Sequence, residues 1–208
     1  MRPTQDGTFK LRNGIFYNFC QRAAAHPAET FVFLIDEVNR TNVSKVFGEL
    51  LMLIEADHRG EECTLAYSGE RFAVPANLYI IGMMNTADRS LALMDYALRR
   101  RFGFFKMRPA FDTPGFAAYA AGCQSDELAR VVAGVRALNT AIAADASLGE
   151  GFCIGHSYFC RPDLTELSPE EVHEWLESVI AYDVAPQLEE YWFDQPEKAA
   201  EEAARLRG

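Results

Sequence analysis

The sequence has no run of about 18 uninterrupted apolar residues, the length that a membrane-spanning helix needs. Its opening residues, MRPTQDG, lack the apolar stretch of a secretory signal peptide. Positive charge is also scarce, because 20 lysines and arginines are outnumbered by 30 acidic residues and the net charge is −10. We therefore expect no membrane partner and no surface that coats nucleic acid broadly. A local basic patch is still compatible with this composition.

Paired cysteine and histidine ligands are missing as well. The five cysteines are odd in number, are scattered along the chain and form no Cys-x-x-Cys motif. His26, His58 and His173 show no pair at the spacing of metal ligands. The pattern predicts reduced thiols in a cytoplasmic protein and gives no indication of a zinc site.

A third absence concerns phosphate binding. No G-x-x-x-x-G-K-[S/T] motif occurs, and none of Gly7, Gly14, Gly48, Gly60 and Gly69 is followed by Lys-Ser or Lys-Thr. Such a loop supplies backbone N–H groups, a lysine for the β- and γ-phosphates and a hydroxyl for Mg²⁺. The sequence therefore shows no triphosphate cradle of this kind.

What the sequence does contain is a buried strand followed by two carboxylates. Phe31–Glu37 reads FVFLIDE, and its five apolar residues predict a strand covered on both faces, as in a parallel sheet under helices. Asp36 and Glu37 stand at its carboxyl end, where open α/β sheets bind ligands. This is the Walker B pattern, which holds Mg²⁺ and a hydrolytic water beside a nucleoside triphosphate. The alternative is a buried strand whose Asp36 merely caps the next turn.

A second apolar run has the same arrangement. Leu78–Met84 predicts another buried strand, and the polar segment Asn85–Arg89 follows it directly. Ser90 can cap a helix that ends in Arg99–Arg101, and Phe102–Met107 has the composition of a third strand. We expect the three apolar runs to form a parallel sheet.

Helical and hairpin patterns surround these strands. Apolar residues at helical spacing predict one helix over about residues 15–25 and another over residues 42–54. Two short β-type segments, Thr64–Tyr67 and Arg71–Val74, flank a glycine-containing turn and predict a hairpin.

From Asp112 onward, alanine-rich helical patterns dominate. Ser168 followed by Pro-Glu-Glu has the form of a capped helix start. The predicted helices are Asp126–Ala146, Pro169–Tyr182, Pro186–Trp192 and Glu197–Arg207, with an extended segment at Phe152–Cys160. The change in composition predicts an α/β part, residues 1–111, and a mainly helical part, residues 112–208.

Three segments carry a closer resemblance, namely IDEVNRTNVSKVFGELLMLIE, IIGMMNTADRSLALMDYALRRRF and GFCIGHSYF. They resemble the AAA+ motor subunit of McrBC-type modification-dependent restriction systems, and the resemblance extends over most of the chain. It implies an α/β AAA+ P-loop NTPase fold, with a partial parallel sheet flanked by helices and then a mainly helical lid. It also implies nucleotide hydrolysis by a hexameric ring that uses Mg²⁺ with GTP or ATP.

In that family the homo-oligomeric ring works with an McrC-like nuclease subunit on DNA that contains 5-methylcytosine. The family's phosphate loop lies before the segment to which this chain corresponds. The resemblance therefore predicts the C-terminal half or more of a motor domain, inactive when alone. Two other interpretations stay open. The chain could be a non-catalytic interaction module that joins a ring of intact subunits, or a related AAA+ remodelling ATPase.

The resemblance assigns roles to the residues at the strand ends. Asp36 is expected to hold Mg²⁺, usually through water, while the nearby Glu37 polarises the attacking water. Asn85 matches the sensor 1 position and would orient that water beside the γ-phosphate of the nucleotide. Asp88 and Arg89 are expected to form an ion pair that positions Asn85, or else to decorate the start of the next helix.

The remaining predicted site residues are cations. Arg100 and Arg101, with Arg99, match the arginine-finger position and would stabilise charge in the site of a neighbouring subunit. Their simpler interpretation is that cations favour a helix C-terminus. Arg40 is a weaker candidate for the subunit interface. His156 would lie in the lid that closes on the nucleotide, or would be a structural histidine packed between aromatic residues.

Overall fold

The computed structural model describes residues 2–3, 9–40, 42–85, 87 and 96–208 of the chain. The chain divides into two compact units, Met1–Phe105 and Lys106–Gly208. Within the described ranges, no helix is long and apolar enough to cross a membrane.

The first unit is a mixture of short strands and helices. In chain order they are β1 (Arg2–Pro3), β2 (Phe9–Lys10), α1 (Ile15–Ala25), β3 (Phe31–Ile35), α2 (Val43–Phe47), β4 (Glu62–Thr64), β5 (Arg71–Ala73), β6 (Leu78–Gly82) and α3 (Tyr96–Arg99). Strands β1 and β2 pair antiparallel, and so do β4 and β5, whose connecting turn contains Gly69 at a φ of +70°. The predicted hairpin is therefore confirmed, but its first strand is Glu62–Thr64, whereas the sequence predicted Thr64–Tyr67.

Strands β3 and β6 pair in parallel, with Phe31 opposite Leu78 and Ile35 opposite Gly82. This pairing confirms that the two apolar runs are neighbouring strands whose carboxyl ends meet at one edge of the sheet. One face packs on α1, where the ring of Phe16 meets that of Phe33 edge-on at 5.1 Å.

The prediction that β3 is buried on both faces is wrong for this unit. Phe31 is 9% exposed on the α1 side, whereas Leu34 is 59% exposed on the other side. Ile81, which lies opposite Leu34 in β6, is also about half exposed. Alternate strand residues point to opposite faces, and the described helices of this unit cover one face alone.

The prediction of a third strand at Phe102–Met107 is also wrong, because residues 103–107 are irregular. Phe105 and Met107 are 88% and 87% exposed. A strand exists only where a neighbour takes up its backbone N–H and C=O groups. Among the described strands, none pairs with this segment.

The predicted helix over residues 42–54 is interrupted after its first turn. Asn42 caps its start, since Asn42 Oδ1 accepts a hydrogen bond from the backbone N–H of Lys45 at 3.0 Å. Helix α2 then ends at Phe47, because Gly48 has a φ of +50° and a ψ of −125°, which no regular helix contains. A 3₁₀ turn follows at Gly48–Leu51.

The second unit is helical, and its helices share one apolar core. They are α4 (Pro114–Cys123), α5 (Asp126–Ala144), α6 (Pro169–Ser178), α7 (Ala185–Tyr191) and α8 (Pro196–Arg207). Trp192, Phe159 and Leu188 are among the largest fully buried side chains of this core. The capping box before α6 is confirmed, because Ser168 and Glu171 exchange side chain to backbone hydrogen bonds.

The helical run between α6 and α7 has no break. A π-helix, Val179–Val184, joins them directly. Pro186 explains the widened turn, since proline lacks an N–H and its ring crowds the carbonyl of the residue four positions earlier. The sequence predicted two separate helices, so this continuity is a correction.

The predicted extended segment Phe152–Cys160 is wrong as well. It contains 3₁₀ turns at Glu150–Phe152 and His156–Phe159. Between them, the amide side chain of Asn139 in α5 donates to the carbonyl of Ile154 at 2.9 Å and accepts from its N–H at 2.6 Å. These two bonds hold the segment against a helix, so its backbone needs no strand partner.

Candidate functional site

The two carboxylates lie side by side in a tight turn after β3. Glu37 has a φ of +49°, a left-handed conformation that is uncommon for residues other than glycine. Its backbone N–H donates to Asp36 Oδ1 at 2.9 Å, which stabilises the turn locally. Strained residues persist only where the surrounding structure holds them in place, and they cluster at functional sites.

Arg40 forms an ion pair with one of the two carboxylates. Its Nε lies 2.8 Å from Glu37 Oε2, and the two side chains are 56% and 47% exposed. An ion pair at this exposure contributes little to stability, about 0–1 kcal/mol. The carboxylate of Glu37 therefore has a partner that it can exchange readily.

The turn after β3 folds back onto the end of β6. Beyond the last strand pair, Met83 N–H donates to the carbonyl of Ile35 at 2.8 Å, and Val38 N–H donates to the carbonyl of Met83 at 2.9 Å. The Val38 side chain packs on Gly82, where an added Cβ would lie 3.3 Å from Val38 Cγ1. Glycine at position 82 permits this close approach.

The polar segment after β6 is joined to the same turn. Asn39 Nδ2 donates to the backbone carbonyl of Asn85 at 3.3 Å. Asn85 Oδ1 accepts from the N–H of Ala87 at 3.1 Å, so the Asn85 amide also shapes its own loop. The structure thus brings Asp36, Glu37 and Asn85 to one edge of the sheet. The other two predicted residues of this segment, Asp88 and Arg89, lie outside the described residues.

The arginines at the end of α3 differ in their surroundings. Arg99 and Arg100 are exposed. Arg101 is 19% exposed, its Nε donates to the carbonyl of Leu51 at 3.0 Å, and its guanidinium lies 2.7 Å from Glu55 Oε1. Arg101 is therefore engaged within its own unit, and a role for it in a neighbouring subunit stays a prediction.

His156 belongs to the second unit and is packed there. The backbone N–H of Ala110 donates to His156 Nδ1 at 3.1 Å, and the rings of Phe111 and Phe116 meet the imidazole nearly edge-on. Because a backbone N–H can only donate, Nδ1 is the acceptor and the neutral ring carries its proton on Nε2. These contacts favour the structural interpretation of His156. The nucleotide contact stays a prediction.

The carboxylate oxygens at the sheet edge fit a hydrated magnesium ion whose coordination shell is completed by a bound triphosphate. Among the described residues, no group of three or more potential metal ligands occurs. Mg²⁺ keeps several waters and takes one or two protein carboxylates together with substrate phosphates. Asp36 and Glu37 supply carboxylates of this kind, both exposed at the strand end.

A separate cavity of about 500 Å³ lies in the same unit. Its lining includes the apolar side chains of Phe16, Phe33, Phe47 and Leu50, and it does not include the two carboxylates. This cavity is thus distinct from the edge that carries the polar residues.

Comparisons with known proteins match both units. The family model of the AAA domain (dynein-related subfamily) matches residues 1–102, and the model of the McrB alpha-helical lid domain matches residues 130–200. The Type IV methyl-directed restriction enzyme EcoKMcrB subunit of Escherichia coli K12 is 48% identical over 215 aligned residues, which cover the whole chain. The chain belongs to the McrB-type AAA+ family. Its fold is accordingly an α/β AAA+ fold with a helical lid.

A second relative of this McrB-type chain is more distant. The Type II restriction enzyme BsuMI component YdiS of Bacillus subtilis is 30% identical over 105 residues, 44% of the chain. The chain spans 46% of the length of the E. coli relative and 31% of the B. subtilis one.

Two features of the McrB-type site did not emerge from the sequence. The first is Asn39, which links the two strand-end loops, and the second is the intrachain ion pair of Arg101. Asn39 lies only two positions after Glu37, and this closeness to a predicted site residue could have identified it as a candidate. The partners of Arg101 lie about 50 residues away in the sequence, and no local pattern indicates them.

Proposed function

We propose that this chain forms part of an AAA+ motor of McrB type, which binds and hydrolyses GTP or ATP to drive DNA restriction. Residues 1–111 would be the core part and residues 112–208 the lid. One observation carries the proposal: the carboxylates of Asp36 and Glu37 share a sheet edge with Asn85, through a turn that a parallel strand pair positions. Carboxylates for Mg²⁺ and water beside a polar water-orienting residue are one part of the arrangement that water-mediated phosphoryl transfer uses.

Each residue has a distinct task in this mechanism. Asp36 would hold Mg²⁺ through water, and bound Mg²⁺ would supply neutralisation of phosphate charge. Glu37, released from Arg40, would take a proton from the attacking water. Asn85 would orient that water through its amide, because its Nδ2 can donate while its Oδ1 accepts from Ala87.

The remaining predicted residues act around this centre. Arg99 and Arg100 are both exposed whereas Arg101 is engaged, and we propose Arg100, which adjoins Arg101, as the finger that acts on a neighbouring subunit. Asp88 and Arg89 would position Asn85, and His156 would contribute to the lid. The proposed partners are other subunits of a homo-oligomeric ring, an McrC-like nuclease subunit, and DNA through that complex. Both relatives are components of restriction enzymes, which supports this assignment.

Restoring the phosphate loop tests the proposed catalytic role. We expect Mg²⁺-dependent hydrolysis when the chain is joined to a matching phosphate-loop segment of the family. In that joined chain, Glu37→Gln should bind nucleotide but turn over at least about a hundredfold more slowly, as expected for loss of a general base. Glu29→Gln, an exposed glutamate just before β3, is the matched control and should retain full turnover. Unchanged turnover in Glu37→Gln would remove Glu37 from the mechanism.

The charge at the strand end favours a second candidate, a non-catalytic module that joins a ring of intact subunits. Adjacent carboxylates repel a polyphosphate, and a net charge of −10 supplies no compensating field. We therefore expect isothermal titration of the 208-residue chain with GTP or ATP and Mg²⁺ to show no low-micromolar binding. Stimulated hydrolysis when the chain is added to intact subunits would favour the module. Tight binding by the chain alone would contradict this candidate.

A further inference from the structure

One buried polar atom stands out at the proposed site. Among the residues that the structure describes, Asn39 Oδ1 is a buried side-chain oxygen with no hydrogen-bond partner. The other end of the same amide is engaged, since Nδ2 donates to the carbonyl of Asn85 at 3.3 Å. Buried polar groups are nearly always paired in native proteins, so an exception at this location requires an explanation.

The contacts around Asn39 form a continuous series between the two strand ends. Backbone hydrogen bonds connect Ile35 and Val38 to Met83, and the buried Val38 side chain packs on Gly82. Asn39 is the next residue along the chain, and its side chain donates a hydrogen bond to the backbone of Asn85. The strand pairing ends at Gly82, and among the described residues no backbone–backbone hydrogen bond joins Asn85 to the turn after β3.

We propose that Asn39 is a positioning residue that fixes the Asn85 loop relative to Glu37. The inference rests on the proposed function, because it assigns to Asn39 the spacing between the catalytic carboxylate and the residue that orients the water. A short amide suits this task, since its NH₂ group donates to a carbonyl and its oxygen can accept from a donor that enters when nucleotide completes the site. Misplacement by about 1 Å is enough to reduce catalysis strongly.

Two variants distinguish the effect of the Asn39 N–H donor from the effect of the size of its side chain. Asn39→Asp keeps the size of the side chain and the oxygen, but places a carboxylate oxygen against the carbonyl of Asn85, which cannot donate. Asn39→Ala removes both groups and tests whether a smaller side chain gives the same result. Asn18→Asp is the matched control, because Asn18 is an exposed asparagine in α1.

The first measurement uses the chain as it stands. Amide hydrogen exchange is followed at Val38, Met83 and Ala87, whose N–H groups are hydrogen-bonded in the two loops. We expect exchange at these amides to become at least about tenfold faster in Asn39→Asp, with the amides of β4 and β5 unchanged. Unchanged exchange at Met83 and Ala87 in both Asn39 variants would overturn the proposal.

The second measurement uses the joined chain with a phosphate loop. We expect Asn39→Asp to lower kcat by about tenfold or more with KM within about twofold, while Asn18→Asp changes neither. A structural role without effect on the catalytic geometry would leave kcat unchanged, and that result would overturn the positioning role. If the parent joined chain fails to hydrolyse nucleotide, the proposed function fails, and the exchange measurement alone still decides whether Asn39 positions the loop.

Discussion

The indole Nε1 of Trp192 donates a hydrogen bond to Asp145 Oδ2 at 3.0 Å, and this contact joins the end of α5 to the end of α7. The ammonium of Lys198 in α8 lies 3.1 Å from the same oxygen and 4.3 Å from the centre of the Trp192 ring. Ser147 donates to the other oxygen through its N–H and its hydroxyl. One carboxylate thus connects three helices of the second unit.

This relationship predicts a pH dependence of stability. The hydrogen bonds from Ser147, followed by those from Trp192 and Lys198, hold the pKa of Asp145 well below its ordinary value of 3.8. A depressed pKa in the folded state stabilises the fold fully above the unfolded value, and that stability is lost as pH falls below it. We expect the melting temperature of the parent chain to fall more steeply than that of Asp145→Asn between about pH 5 and pH 3. Parallel melting curves in circular dichroism would contradict this.

The Trp192 ring itself predicts a large loss of stability on truncation. Trp192 is 1% exposed, whereas the adjacent Phe193 is 82% exposed. We expect Trp192→Ala to reduce the free energy of unfolding by about 3–5 kcal/mol. Phe193→Ala, the neighbouring control, should change it by less than about 0.5 kcal/mol. Urea denaturation measures both, and equal effects of the two variants would show that the burial of Trp192 does not determine its contribution.

Substitution of Asn77 tests whether its side-chain amide stabilises the chain as a hydrogen-bond donor. Its Nδ2 lies 3.0 Å from the carbonyl oxygens of both Ala23 and His26, and 2.8 Å from that of Glu29. An aspartate here would place a negative oxygen against three carbonyls. We therefore expect Asn77→Asp to destabilise the chain by about 1–3 kcal/mol, and by more than Asn77→Ala does. A thermal melt in which Asp is tolerated better than Ala would refute the donor assignment.

We expect substitutions of the adjacent residues Arg100 and Arg101 to have different effects, one on hydrolysis and the other on stability. Arg101→Ala should lower the stability of the chain by about 1–3 kcal/mol, since it removes the ion pair with Glu55 and the hydrogen bond to the carbonyl of Leu51. Arg100→Ala should preserve the melting temperature. In a ring of joined chains it should reduce hydrolysis by about a thousandfold or more, as loss of an arginine finger does. Normal hydrolysis by Arg100→Ala would exclude it as the finger.

Much of the fold was predictable because the signals are local. The apolar runs FVFLI and LYIIG form strands β3 and β6. The capping box at Ser168 begins α6, because serine and glutamate at this spacing satisfy each other's backbone groups. Asp36 and Glu37 were identifiable as site candidates because they immediately follow a strand. Each of these features depends on residues close together in the chain.

Other features were decided by tertiary contacts. Phe102–Met107 has a strand-like composition, but a strand also requires a neighbour, and none of the described strands pairs with it. Arg101 has the same local context as Arg100, yet its partners Leu51 and Glu55 lie about 50 residues earlier. The link from Asn39 to Asn85 likewise spans 46 residues. The sequence alone determined which residues are suited to strands, caps and phosphate chemistry, since those properties belong to the residues themselves. Tertiary structure decided which of them have partners, because a hydrogen bond or ion pair depends on where distant segments of the chain meet.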